Sequence, residues 1–414
     1  MKIIGIKARE IFDSRGLPTL ACELFLENNF SVSASVPAGI SRGIHEAVEL
    51  RDGGDRLLGY GVLKAIAVIE NKIAPALIGK KPNVVQMDVI MLELDNTPNK
   101  SNLGANTMLA VSIAVCKAQA LIESLELYEL IAYLCGFETV AFPSPLFNII
   151  NGGLHADNNL PVQEIMIMPL NQPSFRTAAE TGFTIFHGLK KLLRKQGKST
   201  AVGDEGGFAP VFTDINQALN LVMEAVEQYG NNNSIMISLD VAASHFYDTE
   251  TQTYTWQGKQ INKQELIDLY KQLIGNYPIY SIEDGLSETD WNGWEQMTET
   301  LGSQVKIIGD DIFATNPERI WQGIEHNIAQ AALIKPNQIG TVTETLQAVK
   351  LCKEYNWNVI VSHRSGETND SFIADLAIGV SANQIKAGGC SRGERMAKYN
   401  RLLKIEDYLM MEND

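Results

Sequence analysis

Residues 331–335, Ala-Ala-Leu-Ile-Lys, are four apolar residues closed by a single cation. A run this short and this apolar reads as a strand buried on both faces, with its polar end where the strand emerges. The same form recurs on either side of it. ISLD ends at Asp240, YSIE at Glu283, KIIGD at Asp310, VIVSH at His363 and NQIK at Lys386. These ends lie 23 to 43 residues apart with helical stretches of suitable length between them, the repeat expected of β/α units. This part of the chain is predicted to form an α/β barrel, and in such barrels the active site lies at the C-terminal ends of the strands. Six residues remote in sequence are thus expected to face one cavity.

Upstream the rhythm differs. Strand-like runs, ACELFLE (residues 21–27) and FSVSASV (residues 30–36), precede a helical stretch from Asn106 to Leu134, the mixture of an α+β unit. AFPSP, residues 141–145, carries two prolines and marks a junction. The expected division is 1–138 for the α+β unit and 139–414 for the barrel. A chain of 414 residues exceeds the usual size of one hydrophobic core, in keeping with two units.

The net charge of -15 and a pI of about 5.0 oppose long-range attraction to nucleic acid or an anionic membrane. Lys2 and Lys7 interrupt the first residues, and no segment approaches 18 uncharged apolar residues, so neither a signal peptide nor a membrane span is expected. Cys22, Cys116, Cys135, Cys352 and Cys390 are scattered and odd in number, which argues against a disulfide framework or a cysteine zinc site and favours the cytoplasm.

Asp240, Glu283 and Asp310 offer hard oxygen ligands from three strand ends, a set that suits Mg²⁺ rather than zinc. Any one of them alone would be an ordinary strand-end acid or helix cap. Lys335 is expected to project into the same cavity, as a general base beside a cation or as a salt-bridge partner of one of the acids. Lys386 reads either as a second cation or as a surface residue. Glu205 lies in VGDEGGFAP, where Gly203, Gly206 and Gly207 permit a tight backbone and the adjacent Asp204 is expected to raise the Glu205 pKa, as a general acid requires. A calcium-type loop and a plain glycine-rich turn are the competing readings. Arg364 and Ser365, with His363, present a guanidinium fork and a hydroxyl suited to phosphate. His155 sits in a loop, INGGLHADNN, that could close over a substrate.

These residues fall in motifs that resemble those of the enolase family along nearly the whole chain. FDSRGLPT, INGGLHADNN, VQEIMIMP, VGDEGGFAP, SIED, GDD, LIKPNQIGT, SHRSGET and RMAKYN stand in the family's order. The resemblance implies an N-terminal α+β cap on an eightfold β/α (TIM-like) barrel whose first strands depart from strict alternation, in a homodimer or an assembly of dimers. It implies a magnesium-dependent lyase that converts 2-phosphoglycerate to phosphoenolpyruvate with two Mg²⁺ per site. By that similarity Asp240, Glu283 and Asp310 hold one ion, and Ser41, in VPAGISRG, helps hold the second. Lys335 takes the C2 proton and Glu205 protonates the departing hydroxyl. His155, Gln163, Glu164, His363, Arg364, Ser365 and Lys386 match substrate-binding or supporting positions. Departures from the family pattern are Ala38, Ile40 and Arg42 around Ser41, His245 for a glutamate, Gly285 for a proline, Ala387 for a threonine and Gly393 for a serine. The altered loop motivates one competing reading, a lyase for a phosphonate analogue. A non-catalytic scaffold, or an additional cell-surface or secreted role, is another.

Overall fold

The structure is a computed structural model that describes residues 1–39, 43–230 and 234–412. The chain opens with an antiparallel meander, β1 (Ile3–Phe12), β2 (Pro18–Leu26) and β3 (Ser31–Ser35). Both sequence-predicted strand runs of this unit fall in β2 and β3. The expected helical stretch 106–134 is two helices, Ala105–Glu123 and Leu127–Cys135. Ser124 breaks it in the left-handed region (φ 57), and Glu126 restarts the second helix with a capping box to Glu129. Helix Ala105–Glu123 is long and apolar enough to cross a membrane, yet 83% of its most apolar window is buried inside the protein. It packs between the meander and the barrel helix Val342–Glu354.

The barrel strands are β4 (Ser144–Asn151), β5 (Glu164–Pro169) and β6 (Ile235–Asp240), then, after a small antiparallel insert of β7 (Tyr247–Asp248), β8 (Thr253–Trp256) and β9 (Lys259–Ile261), the strands β10 (Ile279–Glu283), β11 (Lys306–Gly309), β12 (Ala331–Ile334), β13 (Asn358–Ser362) and β14 (Gln384–Gly389). They close in the order β10-β11-β12-β13-β14-β4-β5-β6. β5 is antiparallel to both neighbours and the other pairs are parallel, which is the expected departure from alternation. The loops that enter the barrel helices end in side chains that cap the first turn: Ser174, Asp214, Asn262, Asp290, Asn316 and Thr341 each accept a backbone N–H. Asn231–Asn233, whose three consecutive asparagines predict a polar turn, lie outside the described residues.

A small apolar cluster, Leu146, Met166, Met168, Ile308, Ala331, Leu333 and Ile360, is separate from the main core and drawn from five barrel strands. Side chains alternate along a strand, so the residue two positions toward the top of the barrel faces the same way. Leu333 leads to Lys335, Ile308 to Asp310, Leu146 to Asn148 and, on the reversed strand β5, Met166 to Glu164. An apolar plug thus supports a charged upper layer. Glu164, Asp240 and Glu283 are in register across β5, β6 and β10, and form one row.

Candidate active site

The row closes on one ammonium. Lys386 Nζ, on β14, lies 2.7 Å from Asp240 Oδ2, 2.9 Å from Glu283 Oε1 and 3.0 Å from Glu164 Oε2. Burial pushes its pKa down, but Asp240 and Glu283 outweigh that and hold it above the ordinary lysine value. The surface reading of Lys386 is thereby overturned: it is 3% exposed. Asp310 pairs with Lys335 Nζ through Oδ2 and accepts from Gln338 Nε2 at 3.0 Å through Oδ1. Burial would raise the Asp310 pKa, and Lys335 lowers it. Lys335 itself is held above the usual lysine range by Asp310 against burial, with Arg364 and Lys386 pulling the other way. Of the two sequence readings of Lys335, the salt-bridge partner of an acid is the one seen in this ion-paired state, with Asp310 as the partner.

Glu205 reaches the same space from the loop after helix Phe175–Lys195. Gly206 turns with φ +92, where a Cβ would come 2.9 Å from the Ser391 carbonyl, and a Cβ on Gly203 would come 2.6 Å from that of His155. Glu205 Oε2 lies 3.0 Å from His155 Nδ1 and accepts from Asn148 Nδ2 at 3.3 Å. Burial would raise its pKa, but His155, His363 and Lys386 hold it well below the ordinary value. That overturns the expected rise from Asp204: neighbours in space, not in sequence, set the field. Gln163 donates to Asp240 Oδ2 at 3.3 Å.

His363 Nδ1 meets the Arg395 guanidinium, which only donates, so Nδ1 accepts and Nε2–H faces Glu205 and Glu164 at 3.9 and 4.0 Å. Burial holds the His363 pKa well below its usual value. Arg364 forms a two-pronged pair with Glu46, 3.0 Å on each prong, and touches Asn337 Oδ1 at 3.1 Å. Ser365 Oγ accepts from Arg15 Nη1 at 3.3 Å, and Arg15 Nη2 donates to the Ala38 carbonyl at 3.0 Å. Ala38 exchanges two backbone bonds with Gly366, at 2.9 and 3.0 Å, so its engagement uses no side-chain atom. Ser41, Ile40 and Arg42 lie outside the described residues. His245 borders the cleft, and burial lowers its pKa.

The cleft has the donor set for a cation. Its upper row places four carboxylates, Glu164, Asp240, Glu283 and Asp310, against two ammonium groups, and Glu283 Oε2 and Glu164 Oε1 are buried without a hydrogen-bond partner among the described residues. Burial, with Asp240 beside it, pushes the Glu283 pKa well up against the pull of Lys386. Among the described residues, two tighter groups of metal-ligand type each take in one of these carboxylates, His155–Glu164–Glu205 and Asp284–Asp310–Asp311, with ligand atoms within 4.8 Å of one another. A wider cleft at the opposite end of the barrel carries one carboxylate, Glu406, already capping helix Phe175–Lys195 through the Phe175 and Arg176 N–H groups.

All five cysteines are buried and unpaired, and burial pushes the Cys22 and Cys352 thiols up to about 12, so none offers a thiolate. Sequence reasoning gave no role to Glu46, Asn148, Gln338, Arg15, Arg395, Asp284 or Asp311. Five of these stand inside quoted motifs. Glu46 and Asn148 had no local signal.

Fold and site together define a β/α-barrel protein whose cleft, at the strand ends, gathers buried carboxylates, two ammonium groups and a guanidinium, a donor set that could hold a metal ion. The family profiles described as "Enolase, N-terminal domain" and "Enolase, C-terminal TIM barrel domain" match residues 3–131 and 139–413. The chain is 48% identical over 407 residues to the enolase of Natranaerobius thermophilus, covering 98% of this chain and 95% of that protein. It is 47% identical over 411 residues to the enolase of Corynebacterium kroppenstedtii, covering 99% and 96%. The chain belongs to the enolase family, the glycolytic hydro-lyases called phosphopyruvate hydratases. Neither the phosphonate-analogue reading nor the scaffold reading is favoured.

Proposed function

We propose that the protein carries out the reversible dehydration of 2-phosphoglycerate to phosphoenolpyruvate with Lys335 as base, Glu205 as acid and two Mg²⁺ per site, Asp240, Glu283 and Asp310 holding one ion. The observation that carries this reading is the excess of buried carboxylate over ammonium in the cleft, with Glu283 Oε2 lacking a hydrogen-bond partner among the described residues. The proton at C2 is weakly acidic because its removal puts a second negative charge on the adjacent carboxylate. Bound Mg²⁺ would supply the positive charge that stabilises that developing charge.

Lys386, cationic and buried, adds to the same field. Lys335 becomes a base when Asp310 no longer holds its ammonium: burial, Arg364 and Lys386 then all act to lower its pKa. Glu205 becomes an acid when an anionic substrate arrives beside it, which offsets the histidines and raises its pKa. His155 and the Nε2–H of His363 flank Glu205 and keep its carboxyl oriented. Arg364 takes the phosphate, with Ser365 beside it, and Gln163 and Glu164 line the substrate's other side.

Ser41 completes the second ion's ligand set in this reading. Homodimers or assemblies of dimers, division of the chain at residues 138 and 139, and residence in the cytoplasm belong to the same reading. The five buried free thiols support the last. The test is a panel of 2-phosphoglycerate and its phosphonate analogue offered to purified protein with Mg²⁺. A strong preference for the phosphate is expected, and a preference for the phosphonate would reject this substrate assignment.

A further inference from the structure

Beneath the cleft runs a hydrogen-bonded chain that the proposed dehydration does not by itself require. The backbone N–H of Lys335 donates to Thr315 Oγ1 at 2.8 Å, and that hydroxyl meets Gln338 Oε1 at 2.7 Å. A hydroxyl has one proton, so Thr315 accepts from Lys335 and donates to the Gln338 carbonyl. The Gln338 amide is thereby oriented, with Nε2 facing Asp310 Oδ1 at 3.0 Å and Glu46 Oε1 at 3.4 Å. The other oxygen of Asp310 holds the Lys335 ammonium, and Glu46 holds the Arg364 fork. Both Thr315 and Gln338 are fully buried. Ala314 and Thr315 have φ of 46 and 55, a left-handed conformation that is an outlier for a β-branched residue. Such strain persists where the surroundings over-determine the residue, and it concentrates at functional sites.

We propose that Thr315 and Gln338 are positioning residues that fix the base Lys335 and the ligand Asp310 relative to each other, and that Gln338 ties both to the phosphate fork through Glu46. This rests on the reading of Lys335 as base and Asp310 as metal ligand. Thr315 acts on the backbone from which the lysine springs, and Gln338 acts on the carboxylate. Neither touches a reacting atom.

Thr315→Val keeps the branched shape and the strain and deletes only the hydroxyl, whereas Thr315→Ser retains it. Gln338→Leu deletes both amide contacts. Gln338→Glu, nearly isosteric, removes the donor and serves if Gln338→Leu does not fold. Thr315→Val and the Gln338 variants should lower kcat about 10- to 100-fold, the usual cost of losing an outer partner of a ligand. The kinetic isotope effect on C2-deuterated substrate should grow, and Thr315→Ser should recover most of the rate. Mg²⁺ affinity measured by calorimetry without substrate should fall about tenfold in the Gln338 variants and change little in Thr315→Val. Variants that lose stability and rate together, with an unaltered isotope effect and unaltered Mg²⁺ affinity, would overturn the proposal, as would kcat within about twofold of the parent. If the parent fails to turn over 2-phosphoglycerate, it is the functional reading that fails. The calorimetric arm still decides the role of Gln338, and unchanged Mg²⁺ affinity then rejects it.

Discussion

Replacing Lys386 by methionine keeps an unbranched side chain out to Cε and removes an ammonium that three aligned carboxylates share. At about 3 Å and an effective dielectric near 20, each contact is worth roughly 5 kcal/mol of attraction, most of it offset by the cost of burying the ammonium. Removing one partner of such a buried cluster leaves charge without compensation and typically costs about 3–5 kcal/mol. The structure supports the upper part of that range, because Lys386 meets Asp240, Glu283 and Glu164 at 2.7, 2.9 and 3.0 Å. The cost shrinks at acidic pH, since Glu283 already has a raised pKa and takes a proton readily. Saturating Mg²⁺ at 100 times its Kd stabilises the parent by about 2.7 kcal/mol. In Lys386→Met the same carboxylates bind the ion more tightly, and a tenfold gain in affinity adds about 1.4 kcal/mol. The assay is urea unfolding followed by circular dichroism, with chelator and with saturating Mg²⁺. A variant as stable as the parent in chelator, or one that gains no more from Mg²⁺ than the parent does, would refute the view of Lys386 as the counter-ion of this row.

Lys335→Ala and Glu205→Gln should each fold and lose about 10²- to 10⁴-fold in turnover, the usual contribution of a general base or acid. Exchange of the C2 proton with solvent separates them: it should stop in Lys335→Ala and persist in Glu205→Gln, and the opposite pattern would reverse the two roles. Asp88, buried where helix Val84–Asp95 meets helix Val342–Glu354, accepts from the N–H and hydroxyl of Thr343 at 2.9 and 2.6 Å, yet burial pushes its pKa up to about 6. The folded state therefore binds a proton that the unfolded state has lost, so stability falls as pH rises from about 4 to 6, by roughly 3 kcal/mol in all. Asp88→Asn should remove that slope and be more stable than the parent at pH 8, as urea midpoints at pH 5 and 8 will test; an unchanged slope would assign it to another group.

The barrel was legible because its strands advertise themselves: AALIK and KIIGD are apolar runs with one polar terminus, and strand alternation carries Leu333 to Lys335 and Ile308 to Asp310. The strands β4 and β5 did not stand out as barrel strands from pattern alone, since β5 runs against its neighbours and puts its polar residue, Glu164, at its start. Glu46 was invisible for a different reason. It comes from a loop of the N-terminal unit and reaches Arg364 across 318 positions of chain, a pairing no local pattern records. The field at Glu205 was misjudged on the same ground, because His155 and His363 arrive from other strand ends while Asp204, adjacent in sequence, is not what sets its proton affinity. Gln338 and Thr315 lay in or beside readable motifs, but a buried amide and a strained threonine acquire meaning only when their partners are known.

Formation of phosphoenolpyruvate from 2-phosphoglycerate by the purified protein, followed by the ultraviolet absorbance of the enol phosphate with Mg²⁺ and again with a chelator, tests the proposed chemistry most directly. Turnover that appears with Mg²⁺, vanishes with chelator and returns on adding the ion back is the predicted result. A folded, Mg²⁺-loaded protein that forms no phosphoenolpyruvate, or one that turns over equally well in chelator, would contradict it.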